Sequence, residues 1–292
     1  MAIYKTTITP NSNFATPLMG DTLFGQICWA ISFKFGEDKL KELLSNYEEN
    51  PFLIVSDGFA SGYLPKPTMP MKYLNEDESL KKENCKKIWL TILELQKGQF
   101  EKAKTNKDID NIEKDGVIIR NHLNYKTFLT GNGFDPYGER ELSFSKKDIY
   151  FYIGDNFSVN DLEKVLKLIS EMGYGKDTTI GKGRFEFSTL EKVNWQKESS
   201  SFMSLSVFTP FKLDVKEIFY EPFTRFGKTG LSRANTNPFK NPILLAKSGA
   251  VIVFNEKKSL FYVGKGIKNI STYKDIVHQG YSIVIPIKDI KC

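Results

Sequence analysis

Apolar and polar positions are arranged differently in the two halves of the chain. Residues 2–9 alternate and are rich in Thr and Ile, which predicts a first strand. After a loop over 10–19, Gly20 and Asp21 open a helix to about Phe35. Leu23, Ile27, Ala30 and Ile31 keep helical spacing in it, and Asp21 is its expected N-cap. Residues 52–55 read as a strand, followed by a turn-rich stretch over 56–67. Strand character returns over 141–153. Residues 158–172 predict an amphipathic helix, with Ser158 as cap, Asp161 as the capping acid and Leu162, Val165, Leu166 and Ile169 on one face. A glycine-rich loop, 173–183, leads into a strand over 184–190.

The order strand-helix-strand, insertion, strand-helix-strand predicts an α+β chain whose first domain, 1–190, is a split βαβ, ferredoxin-like (RRM-like) unit. The insertion is expected at about 76–120, where ten acids and ten bases crowd together. Its centre, 88–93, fits a strand or a helix equally. Polar residues 191–201 suit a linker. Beyond it, strands are predicted at 202–210, around 243–254, at 259–263 and at 282–287, giving a strand-rich second domain over 201–292.

Composition narrows the chemistry. With 40% hydrophobic and 26% charged residues in 292, wholesale disorder is excluded. The net charge of +6 permits a nucleic-acid partner without requiring one. Cys28, Cys85 and Cys292 form no CxxC pair, which argues for a reducing cytoplasm and against a zinc ribbon. The first residues lack the pattern of a signal peptide, and no apolar run approaches the roughly 18 residues that span a membrane. HExxH, GxSxG and zinc-spaced Cys/His clusters are absent. Asp108 and Asp110 hint at a calcium loop, but Glu113 stands where glycine is needed. No metal or cofactor is expected. His122 and His278 are the only histidines, which limits acid–base mechanisms.

The most informative segment is the loop containing Gly173, Tyr174, Gly175, Lys176, Thr178, Thr179, Gly181, Lys182, Gly183 and Arg184. Glycines let a backbone approach a polyanion with its N–H groups outward, and the bases and hydroxyls add to that. The spacing fits neither a P-loop nor a dinucleotide fingerprint. A turn closing the ferredoxin unit and a phosphate-backbone site both remain open readings. A second basic stretch, 222–249, contains no acid but Arg225, Lys228, Arg233, Lys240 and Lys247, interleaved with Phe223, Phe226 and Phe239. That mixture suits a single strand, with rings stacking on bases, and equally a solvated loop over core phenylalanines. The helix start, with Gly20 and Thr22, offers N–H groups to a phosphate, opposed by Asp21. Gln26 either reaches a partner or faces water. Arg120, Asn121 and His122 gather polar groups at the end of the insertion, with His122 the candidate general base of the first half. His278 is expected to be structural.

Three segments in order, 14–30, 56–67 and the glycine-rich loop, resemble the RAMP superfamily of CRISPR proteins. Within it they resemble the Cas-five-like group that supplies the fourth subunit of the type III-A Csm interference complex. A further piece, 120–131, resembles the family's Asn-containing segment, with Tyr125-Lys126 where an arginine is usual. The resemblance covers about residues 1–187. It implies two ferredoxin-like domains and a non-catalytic subunit holding the 5′ repeat-derived tag of CRISPR RNA (crRNA). The partners it implies are crRNA, the large polymerase/cyclase-like subunit and the adjacent backbone RAMP subunit, with no membrane. The alternative within the superfamily is a metal-independent repeat endoribonuclease using His122.

Overall fold

The structure is a computed structural model that describes residues 2–130, 133, 135–195, 197–210, 213–228, 239–273 and 275–291. The first half opens with β1 (Ala2–Pro10), α1 (Gly20–Phe35) and α2 (Glu37–Leu44), then β2 (Leu53–Val55) and β3 (Phe59–Ala60). The excursion that follows carries β4 (Leu64–Pro65), α3 (Met71–Leu74), α4 (Lys81–Asn84), β5 (Trp89–Leu90) and α5 (Ile92–Lys97). It ends in a long ribbon, β6 (Glu113–Arg120) and β7 (Tyr137–Phe144). The chain returns through β8 (Lys147–Ile153), α6 (Val159–Met172), β9 (Phe185–Phe187) and β10 (Glu191–Val193).

These strands pair antiparallel in the order β10-β1-β8-β2, with β9 beside β1 and β3 beside β8. The central strand, β8, is buried along its whole length. On α1, Leu23, Phe24, Ile27, Ala30 and Ile31 are all buried, as their spacing requires. On α6, Ser158 Oγ accepts the Asp161 N–H at 3.1 Å, and Leu162, Val165, Leu166 and Ile169 pack inward. Burying one such side chain contributes about 1.5–3 kcal/mol.

The expected linker is shorter than its polarity suggested. Glu191–Val193 pairs with Ile3–Lys5, and the second half already begins at β11 (Ser199–Ser204). It continues with β12 (Glu217–Phe219), β13 (Pro222–Arg225), β14 (Ile243–Ala246), β15 (Val251–Lys258), β16 (Tyr262–Gly264) and β17 (Tyr281–Pro286). Here the sheet order is β12-β15-β11-β17-β16, and β13 pairs with β14 as a separate hairpin. Among the described residues this half contains no helix. Its strands β12, β15, β11 and β17 are hydrogen-bonded in that order, and β16 lies in the connection from β15 to β17.

The two halves share one core. Met203, Leu205, Val251, Val253, Tyr281, Ile283, Ile285 and Ile287 join the same buried cluster as α1, α6 and the first sheet. The opposite face of the second sheet packs separately around Phe202, Phe208, Ile252 and Val284. A buried amide stitches the halves together: Gln279 accepts the Val55 N–H at 2.9 Å and donates to the Val55 carbonyl at 2.8 Å. No helix of the described residues is long and apolar enough to cross a membrane.

Candidate functional site

The start of α1 is where the separated candidates meet. Gly20 is a close-approach residue: a Cβ there would lie 2.2 Å from the Val55 carbonyl oxygen. Its N–H donates to Asp57 Oδ1 at 2.8 Å, so a carboxylate from another segment does the capping. Asp21, the predicted N-cap, is instead in the first helical turn, with Met19 at the cap position. The Asp21 carboxylate takes a forked pair from the Arg225 guanidinium, one arm at 2.5 Å from Nε. Thr22 Oγ1 accepts from Arg225 Nη2 at 3.0 Å. His278 Nε2 lies 3.5 Å from Asp21.

Burial sets the electrostatics of this cluster. Burial pushes the Asp57 carboxyl up to about 6, against the Gly20 hydrogen bond that lowers it. It pushes His278 down to about 4, partly offset by Asp21. Lys240 is also held below its ordinary value by burial, while Asp21 draws it upward.

The glycine-rich loop wraps the other side of α1. Gln26 donates to the Gly173 carbonyl at 2.7 Å and accepts the Gly175 N–H at 2.9 Å, so its amide ties the loop to the helix. Tyr174 is fully buried, its hydroxyl on the Pro17 carbonyl at 2.8 Å. Gly183 makes the second close approach, with φ +77° and a hypothetical Cβ 2.2 Å from the Tyr174 carbonyl oxygen. At Gly181, φ +88°, the corresponding space is open.

The expectation that this loop turns its amides outward is corrected. The Lys176 N–H goes to Thr16 Oγ1, that of Gly183 to the Asn13 carbonyl and that of Arg184 to Ser12 Oγ. The loop closes on its own fold first, and its outward chemistry lies in side chains. Lys176 has a side chain 71% exposed, paired with its neighbour Asp177 at 3.3 Å. Thr179 and Arg184 are exposed and Thr178 half-buried. Lys182 is different. It is buried, with Nζ 3.0 Å from Glu139, 4.0 Å from Glu141 and 3.2 Å from the Arg140 carbonyl. The hydrogen bond from Lys182 holds Glu139 below the usual carboxylate range.

Those contacts fasten the loop to the middle of the β6–β7 ribbon, where Glu139, Arg140 and Glu141 stand opposite Ile118, Val117 and Gly116. Arg120 also pairs with Glu139, at 2.5 Å. Beyond it, Asn121 and His122 are exposed at the ribbon's far end, and the His122 ring stacks on Tyr137 at 4.6 Å. Asn121, His122, Tyr125 and Lys126 line an open hollow of about 840 Å³. Tyr125 is 86% exposed, and Phe128 and Leu129 are exposed beside it. This apolar end was missed in the sequence. The signal was there in residues 123–129, whose rings and leucines carry no strand or helix partner pattern.

From the second half, Lys228 bridges to Phe239 across the β13–β14 hairpin, its Nζ 4.9 Å from that ring. Arg233 lies outside the described residues. Arg225 is turned inward, as described, so its charge is spent on Asp21. Among the described residues, no group of three or more His, Cys, Asp and Glu is placed to hold a metal ion.

Structures of known proteins share this architecture. One chain of the crystal structure of the Csm1-Csm4 cassette in complex with AMPPNP aligns with a TM-score of 0.62 at 17% identity, over 99% of this chain and 100% of that one. One chain of the Csm3-Csm4 subcomplex of the type III-A CRISPR-Cas interference complex aligns with a TM-score of 0.63 at 17% identity, over 98% and 99%. Csm4 is the component common to both. The chain has a Csm4-like fold. The whole length takes part, including the second half. No protein-family model matches the sequence, and no curated protein is recognisably similar to it.

Proposed function

We propose that this chain is a non-catalytic, crRNA-holding and assembly subunit of a type III-A CRISPR interference complex. It grips the 5′ repeat-derived tag of the crRNA. It bridges the large polymerase/cyclase-like subunit, called Csm1 in the similar structures, to the backbone subunit called Csm3. Both halves are read as ferredoxin-like units working in the cytoplasm, the second with its helices replaced by loops. The observation that carries the proposal is convergence on a Csm4-like fold. The glycine-rich loop, the β6–β7 ribbon and the β13–β14 hairpin are all fastened around the start of α1. Lys176 and Arg184 supply exposed charge for a sugar-phosphate chain, and Tyr125 and Phe128 supply faces for splayed bases.

The His122 ring stacks on Tyr137, which suits a base-contacting role better than that of a general base.

The test is purification of the assembled complex from co-expressed subunits, followed by sequencing of the retained RNA. Short RNAs sharing one 5′ end are expected, with retention lost in Lys176→Ala/Arg184→Ala. Lys182 is left out of that variant because its removal strips a partner from Glu139. Unchanged retention would overturn the loop's role. Repeat RNA mixed with the purified chain without metal is expected to stay intact. Cleavage that disappears in His122→Ala would overturn the non-catalytic reading.

A further inference from the structure

The basic stretch of the second half folds as a two-stranded arm, and its side chains alternate. Along β13 and just beyond it, Phe223 and Arg225 are partly buried, whereas Thr224, Phe226 and Lys228 are exposed. Phe226 is 74% exposed. This is the period of two that a strand imposes on its faces. On the inner face the Arg225 guanidinium lies 5.3 Å from the Phe223 ring and forks onto Asp21 and Thr22. Across the hairpin, the Lys240 N–H donates to the Gly227 carbonyl at 2.9 Å, and its side chain runs over Gly227, with Cδ 3.1 Å from where a Cβ would stand. Asp21 is faced by Arg225 and His278 together. Its own side chain is 1% exposed, so none of these inner cations meets it from solvent.

We propose that the arm divides its cations by face: Arg225 is a positioning residue that locks it onto the start of α1, while Phe226 and Lys228 contact single-stranded RNA. A cation committed to a buried carboxylate has no charge to spare for a phosphate. The outer face offers the exposed Lys228 ammonium and, two residues before it, the exposed Phe226 ring, the combination that tracks a backbone and stacks a base. The proposal rests on the RNA-holding function above and adds a second station to it, reached from the other half of the chain.

The two faces separate in the salt dependence of binding. For single strands each phosphate contact steepens the fall of log K against log salt by about 0.7. The full chain is titrated with a labelled single-stranded RNA oligonucleotide containing 4-thiouridine, over a range of KCl. Lys228→Ala is expected to flatten the slope by about 0.7, and Phe226→Ala to weaken binding with the slope kept. Arg225→Met is expected to flatten the slope by about 0.7, as Lys228→Ala does, with no further flattening when the two are combined, and to lose photo-crosslinks to the peptide holding Phe226, while crosslinks near Lys176 persist. A merely structural arginine would lower thermal stability with slope and crosslinks unmoved, and a phosphate-binding one would flatten the slope further in the combined variant than in Lys228→Ala. Either result overturns the assignment. Because Arg225→Met leaves Asp21 unpaired, the neutral pair Asp21→Asn/Arg225→Gln carries the same measurement if the single variant is unfolded. The variant Lys176→Ala/Arg184→Ala is the control. If it binds as the unaltered chain does, RNA holding itself fails. If it binds weakly while Lys228→Ala leaves the slope unchanged, only the arm is misassigned.

Discussion

The two ribbons that flank the start of α1 are held in opposite ways. The β6–β7 ribbon is fastened along its middle by a lysine from the glycine-rich loop, Lys182, reaching Glu139 and Glu141. Its far end is aromatic and apolar, with Tyr125, Phe128 and Leu129 in solvent. The β13–β14 arm is fastened by its own arginine, Arg225, driven into the buried Asp21. Its outer face keeps a phenylalanine and a lysine together. In both, a cation that reads as an RNA ligand from its neighbours in sequence serves to hold the surface in shape. The lesson is that a basic cluster must be split into charges already committed and charges still exposed before any partner is assigned to it.

Ways to break this comparison differ in size. Arg225→Met should cost about 3 kcal/mol in a denaturant melt, the low end of the roughly 3–5 kcal/mol for stripping one partner from a buried pair. The low end applies because the Arg225 side chain keeps 19% exposure. Lys182→Met should cost less, since its partner Glu141 remains 18% exposed. An equal or larger loss there would erase the distinction between the two anchors.

The glycines sharpen the same point. Gly183→Ala meets the Tyr174 carbonyl at 2.2 Å and should be the more damaging change, with loop and ribbon disturbed together. Gly181→Ala has open space and should cost only the about 1–2 kcal/mol of a left-handed backbone. Thermal melts of the pair decide it, and equal losses would contradict the geometry.

A smaller effect lies in pH. His278 is held at about 4, below its ordinary 6.5. The stability it contributes is full above pH 6.5 and is lost as pH falls through about 4. Asp57 acts oppositely. Raised to about 6, it contributes stability that is full below its unfolded value of 3.8 and lost as pH rises through about 6. The two partly cancel in mildly acidic solution. His278→Gln should therefore remove the acid loss and make the chain relatively more stable on acidification than its parent. Parallel pH profiles for the two would show that His278 carries no such penalty.

Much of the first half was legible because its signals are local. The α6 cap and its apolar face lie within one helix, and the buried side of α1 repeats with the helical period. The site was harder to read. Asp21 has the residue type and place of an N-cap, but its partner arrives 204 residues later. The true cap of Gly20 is Asp57, 37 residues away. Lys182 stands among glycines that suggest a free loop, and the ribbon carbonyl it meets, on Arg140, is 42 positions upstream. Sheet order in the second half was illegible for the same reason, since β11 pairs with strands about 50 and 80 residues further on. Local pattern carries no register for such non-local pairing.

The central claim is that the surface around the start of α1 holds the 5′ end of a guide RNA. It is tested most directly by tethering an iron chelate, a source of hydroxyl radicals, to Thr179→Cys in the assembled complex. Cys85, which is exposed, and Cys292 are replaced by Ser beforehand. The account predicts strand scission confined to the repeat-derived nucleotides at the RNA's 5′ end. Scission centred in the spacer, or none above a chelate placed at exposed Glu37, the first residue of α2 beyond the far end of α1, would contradict it.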